Sequence, residues 1–379
     1  MKIRKLWRHQ LIQGTGLLIM LLSAACSPIE VQTLSTSTPI PGIQPMPTFV
    51  IQNSASASQP ASIGQTDGNS PASTPQPAAT PTNNIIQKAA TEIPKIVESA
   101  QPLISGSSGK VPKFSHVIVM IFENEEITNI IGNSALPNFN KLAQQYTLLV
   151  NDHAVTHPSL PNYIALTSGD TQGITSDCTT CFTNATNLPD LIEQSGRSWK
   201  AYLEDMPAPC SVTDQGNYAE KHNPFVYYDD IRTNTARCQQ HDVPLTQLDS
   251  DLQNKQLPAF AWITPNLCND GHDCGAAAAD KFMGPEVNKI ITSPSFDQNS
   301  LLIVTFDEGT TRASCCGLPS KAGGKVTTLL ISKLVKTGFQ DDTEYSHYSI
   351  LKTIEDAWGL QQLGHSADAQ TPLITAAWK

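Results

Sequence analysis

Ser159 lies in the stretch THPSLPNYIALTSG, Thr156 to Gly169, with His157, Asn162 and two prolines around it. A serine hydroxyl is a poor nucleophile at neutral pH and reacts only when a base or a metal activates it. A bound metal lowers the pKa of a hydroxyl as it does that of water. Pro161 is tolerated in a first helical turn, where its missing N–H would be unbonded anyway. Pro158 pushes His157 toward an extended backbone. The spacing therefore predicts a helix from about 160 to 167 with Ser159 at its mouth, where free backbone N–H groups favour an anion. Asn162, about one turn on, can donate its amide to a phosphoryl oxygen. The plainer alternative makes Ser159 an N-cap.

Acidic groups collect elsewhere in three places, each after an apolar run. Glu123 and Asn124 follow HVIVMIF. Asp307 and Glu308 follow SLLIVTF. Asn266, Asp270, His272 and Asp273 lie in TPNLCNDGHDCG, after AFAWI. One such acid alone would serve as a turn residue or helix cap. Brought together, Glu123, Asp307 and Glu308 would repel and need a cation. Oxygen ligands favour Mg²⁺, Ca²⁺ or Mn²⁺, and the nearby histidines leave Zn²⁺ open.

These tips need a scaffold that brings them to one edge. HVIVMIF, His116 to Phe122, is apolar throughout, as in a strand covered on both faces. TLLVNDHAV, SWKAYLED, AFAWITPN, SLLIVTFDEG and KVTTLLIS also read as strands. LPNFNKLAQQY, NLPDLIEQSG and YSHYSILKTIEDAWGL read as helices, the last with Ile350, Leu351, Ile354 and Trp358 as its apolar stripe. Strands alternating with helices predict an α/β fold, a mostly parallel central sheet sandwiched between helices. In such sheets, sites form outside the carboxyl ends of the strands.

Together, THPSLPNYIALTSG, ENEE, TPNLCNDGHDC, TFDEG and SHYSILKTIEDAWGL resemble the bacterial phosphoesterase family. It holds secreted acid phosphatases, phosphatidylinositol-3-phosphatase-like enzymes and phospholipase C enzymes, within the alkaline-phosphatase-like superfamily. The resemblance runs from about His116 to Leu360. It implies an alkaline-phosphatase-like fold and Ser159 as a metal-bound nucleophile. It further implies metal ligands at Glu123, Asn124, Asp307 and Glu308, and a phosphoryl contact at Asn162. His272 and His347 match histidines of the nucleotide pyrophosphatase pattern. Either would protonate the leaving oxygen or aid water, with Asp270 orienting His272; His157 and His153 are further candidates. The first strand ends in Glu-Asn where that pattern has Asp, and Asp-Glu-Gly stands for Asp-His-Gly, which favours one tightly held ion. The implied activity is phosphomonoester hydrolysis through a phosphoseryl intermediate, on a small phosphate ester or a phospholipid headgroup. The alternatives are a phospholipase C-type phosphodiesterase and a surface binding module without catalysis. A Ser–His–Asp acyl hydrolase is disfavoured, because Gly-x-Ser-x-Gly is missing around Ser159.

The chain has 379 residues and a net charge of −10, which leaves no basic footprint for nucleic acid. Residues 1–26 read as a signal peptide ending in a lipobox-like LLSAAC at Cys26. Residues 27–112, rich in Ser, Thr and Pro, read as a disordered tether, because they bury too little apolar surface to order. Residues 113–379 form the expected catalytic domain, a monomer held at the outer face of the cell membrane by a lipid anchor, or secreted. Eight cysteines besides Cys26 suggest disulfides in an exported chain. Cys178 and Cys181 read as a disulfide because a second C-x-x-C for zinc is missing; adjacent Cys315 and Cys316 are expected to take different partners.

Overall fold

The computed structural model describes residues 110–379. The expected signal peptide, lipobox cysteine and nearly all of the expected tether lie outside them. The strands are β1 (Val117–Phe122), β2 (Thr147–His153), β3 (Trp199–Leu203), β4 (Asp242–Pro244), β5 (Phe260–Thr264), β6 (Leu301–Phe306), β7 (Lys325–Ile331) and β8 (Phe339–Ser346). The helices are α1 (Ile127–Ile130), α2 (Pro137–Gln145), α3 (Ser159–Ser168), α4 (Leu188–Gln194), α5 (Asp229–Arg232), α6 (Thr235–His241), α7 (Thr246–Gln253), α8 (Ala276–Thr292) and α9 (His347–Trp358).

One eight-stranded sheet runs in the order β4-β3-β5-β1-β6-β7-β2-β8. Neighbours are parallel from β4 through β6 and again between β2 and β8, while β7 runs against both β6 and β2. Every residue of β1, β5 and β6 is buried, because helices cover both faces of the sheet. Alternate residues of β1 feed two cores. Val117, Val119 and Ile121 pack with Leu160, Tyr163, Trp262 and α9, whereas Ile118, Met120 and Phe122 pack with Phe139, Met283 and Phe306. This is the expected mostly parallel α/β sheet.

Because β1, β2, β3, β5 and β6 share one direction, their carboxyl ends lie on one rim. From that rim leave Glu123 after β1, the 154–158 segment after β2, the Asp270 loop after β5 and Asp307 after β6. Loop braces hold this edge. Glu126 accepts from the Thr310 and Thr311 backbone N–H groups, the Thr311 hydroxyl and the Lys325 N–H, which ties the loop after β6 to the start of α1. Glu204 accepts from Asn266 N–H and the Asn269 amide. Asp280 of α8 caps α2 from outside through Asn138 and Phe139 N–H.

Disulfides join Cys178–Cys181, Cys210–Cys238, Cys268–Cys274 and Cys315–Cys316. The expectation of separate partners for Cys315 and Cys316 is corrected: the two neighbours bond to each other across a Cα–Cα distance of 3.8 Å.

Candidate active site

Ser159 is the first residue of α3, and Pro158 stands at the N-cap position. Its hydroxyl does not cap the helix. It donates to Glu123 Oε2 at 2.9 Å. Tyr163, four residues on and so on the same helical face, donates its hydroxyl to Glu123 Oε1. At Asn124 the chain enters the left-handed region, with φ 62°, a conformation Asn tolerates better than most residues. The turn lets Asn124 N–H donate to Asp307 Oδ1 at 3.0 Å and its amide to Glu123 Oε2 at 3.2 Å. Glu123, Asp307 and Ser159 thus meet, although they come from three distant parts of the chain.

Across Glu123 stands His222, fully enclosed and stacked on the Tyr163 ring. Its Nδ1–H donates to Asp270 Oδ2 at 3.0 Å, leaving the Nε2 lone pair 3.2 Å from Glu123 Oε1. His272 uses its Nδ1–H on Asp273 at 2.7 Å, so its Nε2 accepts from the Lys221 ammonium at 3.1 Å. Ligand atoms of Glu123, His222 and His272 lie within 4.8 Å of one another.

Electrostatics follow from burial. Desolvation, with Asp307 and Asp270 nearby, drives the Glu123 carboxyl well above its usual range. Desolvation likewise pushes Asp270 and Asp307 up to about 7. Desolvation and the neighbouring Asp307 lift Glu308 to about 9. Burial holds His222 well below its usual pKa. Carboxylates this crowded keep their protons unless a cation replaces them. Two buried atoms that face inward without a hydrogen-bond partner, His222 Nε2 and Asp307 Oδ2, are suited to that replacement. The residues therefore fit a divalent cation held by Glu123, His222 and His272, with Asp307 and Asn124 beside them. Carboxylate and imidazole donors together suit a transition ion as well as a hard one.

The remaining expected residues have other duties. Asn162 is fully buried and does not face a ligand: its Oδ1 accepts from Val155 and Thr156 N–H, and its Nδ2 donates to the Thr156 and Pro158 carbonyls. It shapes the segment that presents Ser159. Asp270 orients His222, not His272, whose backbone N–H alone it accepts, at 2.8 Å. His347 is fully buried, donates Nε2–H to the Asp307 backbone carbonyl at 2.6 Å, and is lowered to about 4 by burial, so it is neutral and supports the Asp307 turn. His153 Nδ1 lies 3.2 Å from the Tyr345 carbonyl, within the sheet. His157 Nδ1 lies 2.6 Å from Glu308 Oε2, and its Nε2 lies 2.8 Å from the Thr311 carbonyl. Glu308 therefore points toward His157. The helix mouth is also less open to an anion than expected, because Asp177 Oδ1 accepts the Leu160 N–H at 3.0 Å.

His222, Tyr163, Asp177 and Lys221 escape the sequence reading. His222 sits in a 3-10 turn, Glu220–His222, and follows no strand, so a search at strand ends passes it by. For Tyr163 a signal existed, its spacing of four from Ser159.

Residues 131–361 match the Phosphoesterase family. The chain is 32% identical over 283 residues to the phosphatidylinositol-3-phosphatase of Mycobacterium tuberculosis, covering 74% of this chain and 88% of that protein. The chain belongs to the phosphoesterase family. It is also 33% identical over 278 residues to an acid phosphatase of Aspergillus fumigatus, a match that spans 70% of this chain but 60% of that protein's length. Among solved structures, a member of the alkaline phosphatase superfamily from Vibrio parahaemolyticus aligns with TM-score 0.46 and 16% identity, over 72% of this chain and 74% of that one.

Proposed function

We propose that this phosphoesterase is a metal-dependent acid phosphomonoesterase that works through Ser159. The observation that carries the reading is the Ser159 hydroxyl on the first turn of α3, hydrogen-bonded to Glu123, a residue of the cluster suited to hold a cation. The curated relatives, named as acid phosphatase and phosphatidylinositol-3-phosphatase, support the same chemistry.

Ser159 Oγ attacks phosphorus in line, its proton passing to Glu123 Oε2, and the bond from phosphorus to the leaving oxygen breaks. A divalent cation held by Glu123, His222 and His272, with Asp307, Asn124 and the Ser159 oxygen beside it, would supply charge neutralisation and a lower hydroxyl pKa. The His157–Glu308 pair, 2.6 Å apart at the edge of the site, would supply the proton to the leaving oxygen. Water then cleaves the phosphoserine. Asp270 keeps the His222 lone pair turned inward, and Tyr163 fixes the second Glu123 oxygen.

Substrates are phosphate monoesters, either small molecules or phospholipid headgroups. The lipobox-like Cys26 and the tether would keep the domain on the outer membrane face. Ser159→Ala should cut p-nitrophenyl phosphate turnover by about 10³-fold or more, as loss of a nucleophile does. EDTA should silence the wild type, and added Mn²⁺, Mg²⁺, Ca²⁺ or Zn²⁺ should restore it. Near-full turnover by Ser159→Ala would end the nucleophile assignment, and activity on bis-p-nitrophenyl phosphate alone would favour a phosphodiesterase.

A further inference from the structure

Lys221 lies at the centre of an acidic mouth. Its ammonium lies 3.1 Å from Asp177 Oδ2 and 3.1 Å from His272 Nε2. Asp177 spends its other oxygen on the N–H of Leu160, the residue after Ser159. One carboxylate thus fastens the lysine to the helix turn that carries the nucleophile, and the Cys178–Cys181 disulfide follows directly in the chain. The Lys221 side chain is 22% exposed, so it is neither sealed in the core nor loose in solvent. An ammonium has three N–H donors: Asp177 takes one, and the one given to His272 Nε2 is freed when that lone pair holds a cation. Its charge is felt by Glu308 and Asp270, on loops that leave two different strands.

Beyond His272 lies the Glu123 carboxylate of the cation cluster, and Asp177 adds a second negative charge, an environment hostile to an anion. A phosphomonoester carries close to two negative charges near neutral pH and a diester one. A simple structural ion pair with Asp177 would not need to sit against His272, one of the residues suited to hold the cation. We infer that Lys221 is the phosphate-reading residue of this enzyme, donating to a non-bridging phosphoryl oxygen and selecting dianionic monoesters over monoanionic diesters. Asp177 is its positioning residue. The inference rests on the function proposed above and extends it to substrate charge.

The experiment compares full-length wild type, Lys221→Met, Lys221→Arg and Asp177→Asn. Two measurements are made: kcat/KM for p-nitrophenyl phosphate and for methyl p-nitrophenyl phosphate, and the Kd of inorganic phosphate by titration calorimetry. Lys221→Met should lose about 100-fold on the monoester and less than about fivefold on the diester, with phosphate binding weakened at least tenfold. Lys221→Arg should recover part of both, and Asp177→Asn should shift KM more than kcat. A monoester-to-diester ratio within about threefold of wild type, or a phosphate Kd unchanged by Lys221→Met, overturns the inference. If Lys221→Met does not fold, Lys221→Gln takes its place. Wild type inert toward both esters would overturn the proposed function instead, and the phosphate Kd would still decide the role of Lys221.

Discussion

At the scale of single residues, the site depends on which partner each polar atom chooses. Asp270 gives one oxygen to His222 Nδ1 and the other to the His272 backbone, so it fixes a tautomer and a loop at once. An outer carboxylate of this kind keeps the imidazole lone pair aimed at a cation. Asp270→Asn should weaken divalent-ion affinity by about 10–100-fold, measured by calorimetric titration of EDTA-stripped protein. An unchanged affinity would remove His222 from the ion-holding set. The same scale shows what sequence could and could not tell. Ser159, Glu123 and Asp307 were singled out by strand ends and a proline-framed helix mouth, and the fold brings them to one rim. Asn162 shows the limit: spacing places an amide near a site but does not say whether backbone groups have already claimed it.

At the scale of elements, Glu126 holds the rim in register. Its two oxygens receive four donors from the loop after β6 and the start of β7. Gly324, with φ +86°, lies so close that a Cβ there would stand 2.7 Å from Glu126 Oε2. Glu126→Ala would remove the common acceptor of these part-buried donors, which water can partly replace at exposed Thr310 and Thr311, and should lower stability by about 1–2 kcal/mol, read by urea denaturation. A loss under about 0.5 kcal/mol would mean that water replaces the brace. The strands β1, β5 and β6 were readable from apolar runs, β2, β3 and β7 from shorter, interrupted ones, and α9 from its stripe. The edge strand β8, FQDDTEYS, was not, because its middle, Asp342 to Glu344, is exposed and it carries charges, as edges do. Helix α8 was passed over, its AAAAD start offering composition without an apolar stripe and Pro285 lying within it.

At the scale of the whole molecule, buried acids are spread well beyond the site. Burial pushes Asp152 up to about 7, Asp242 to about 7 and Glu355 to about 8, from ordinary values of 3.8, 3.8 and 4.5. Above the ordinary carboxyl pKa the unfolded chain has released these protons while the fold still holds them, so stability fully present in acid is lost as pH rises toward about 8. His347, lowered from 6.5 to about 4, acts oppositely and only below about 6.5, losing stability as pH falls. In EDTA, the thermal midpoint should therefore fall between pH 6.5 and 8.5; a flat or rising midpoint would contradict the buried acids' state. The disulfides tell of a different economy of bonds. Three of them span only 3, 6 and 1 positions, and each lies in a rim loop: beside Asp177, around Asp270 and His272, and downstream of Glu308. Ring closure this short removes little freedom from an unfolded chain. Their worth is local, as splints on the fingers and not rivets through the palm, so a reducing environment would blunt the enzyme's grip long before it melted the body.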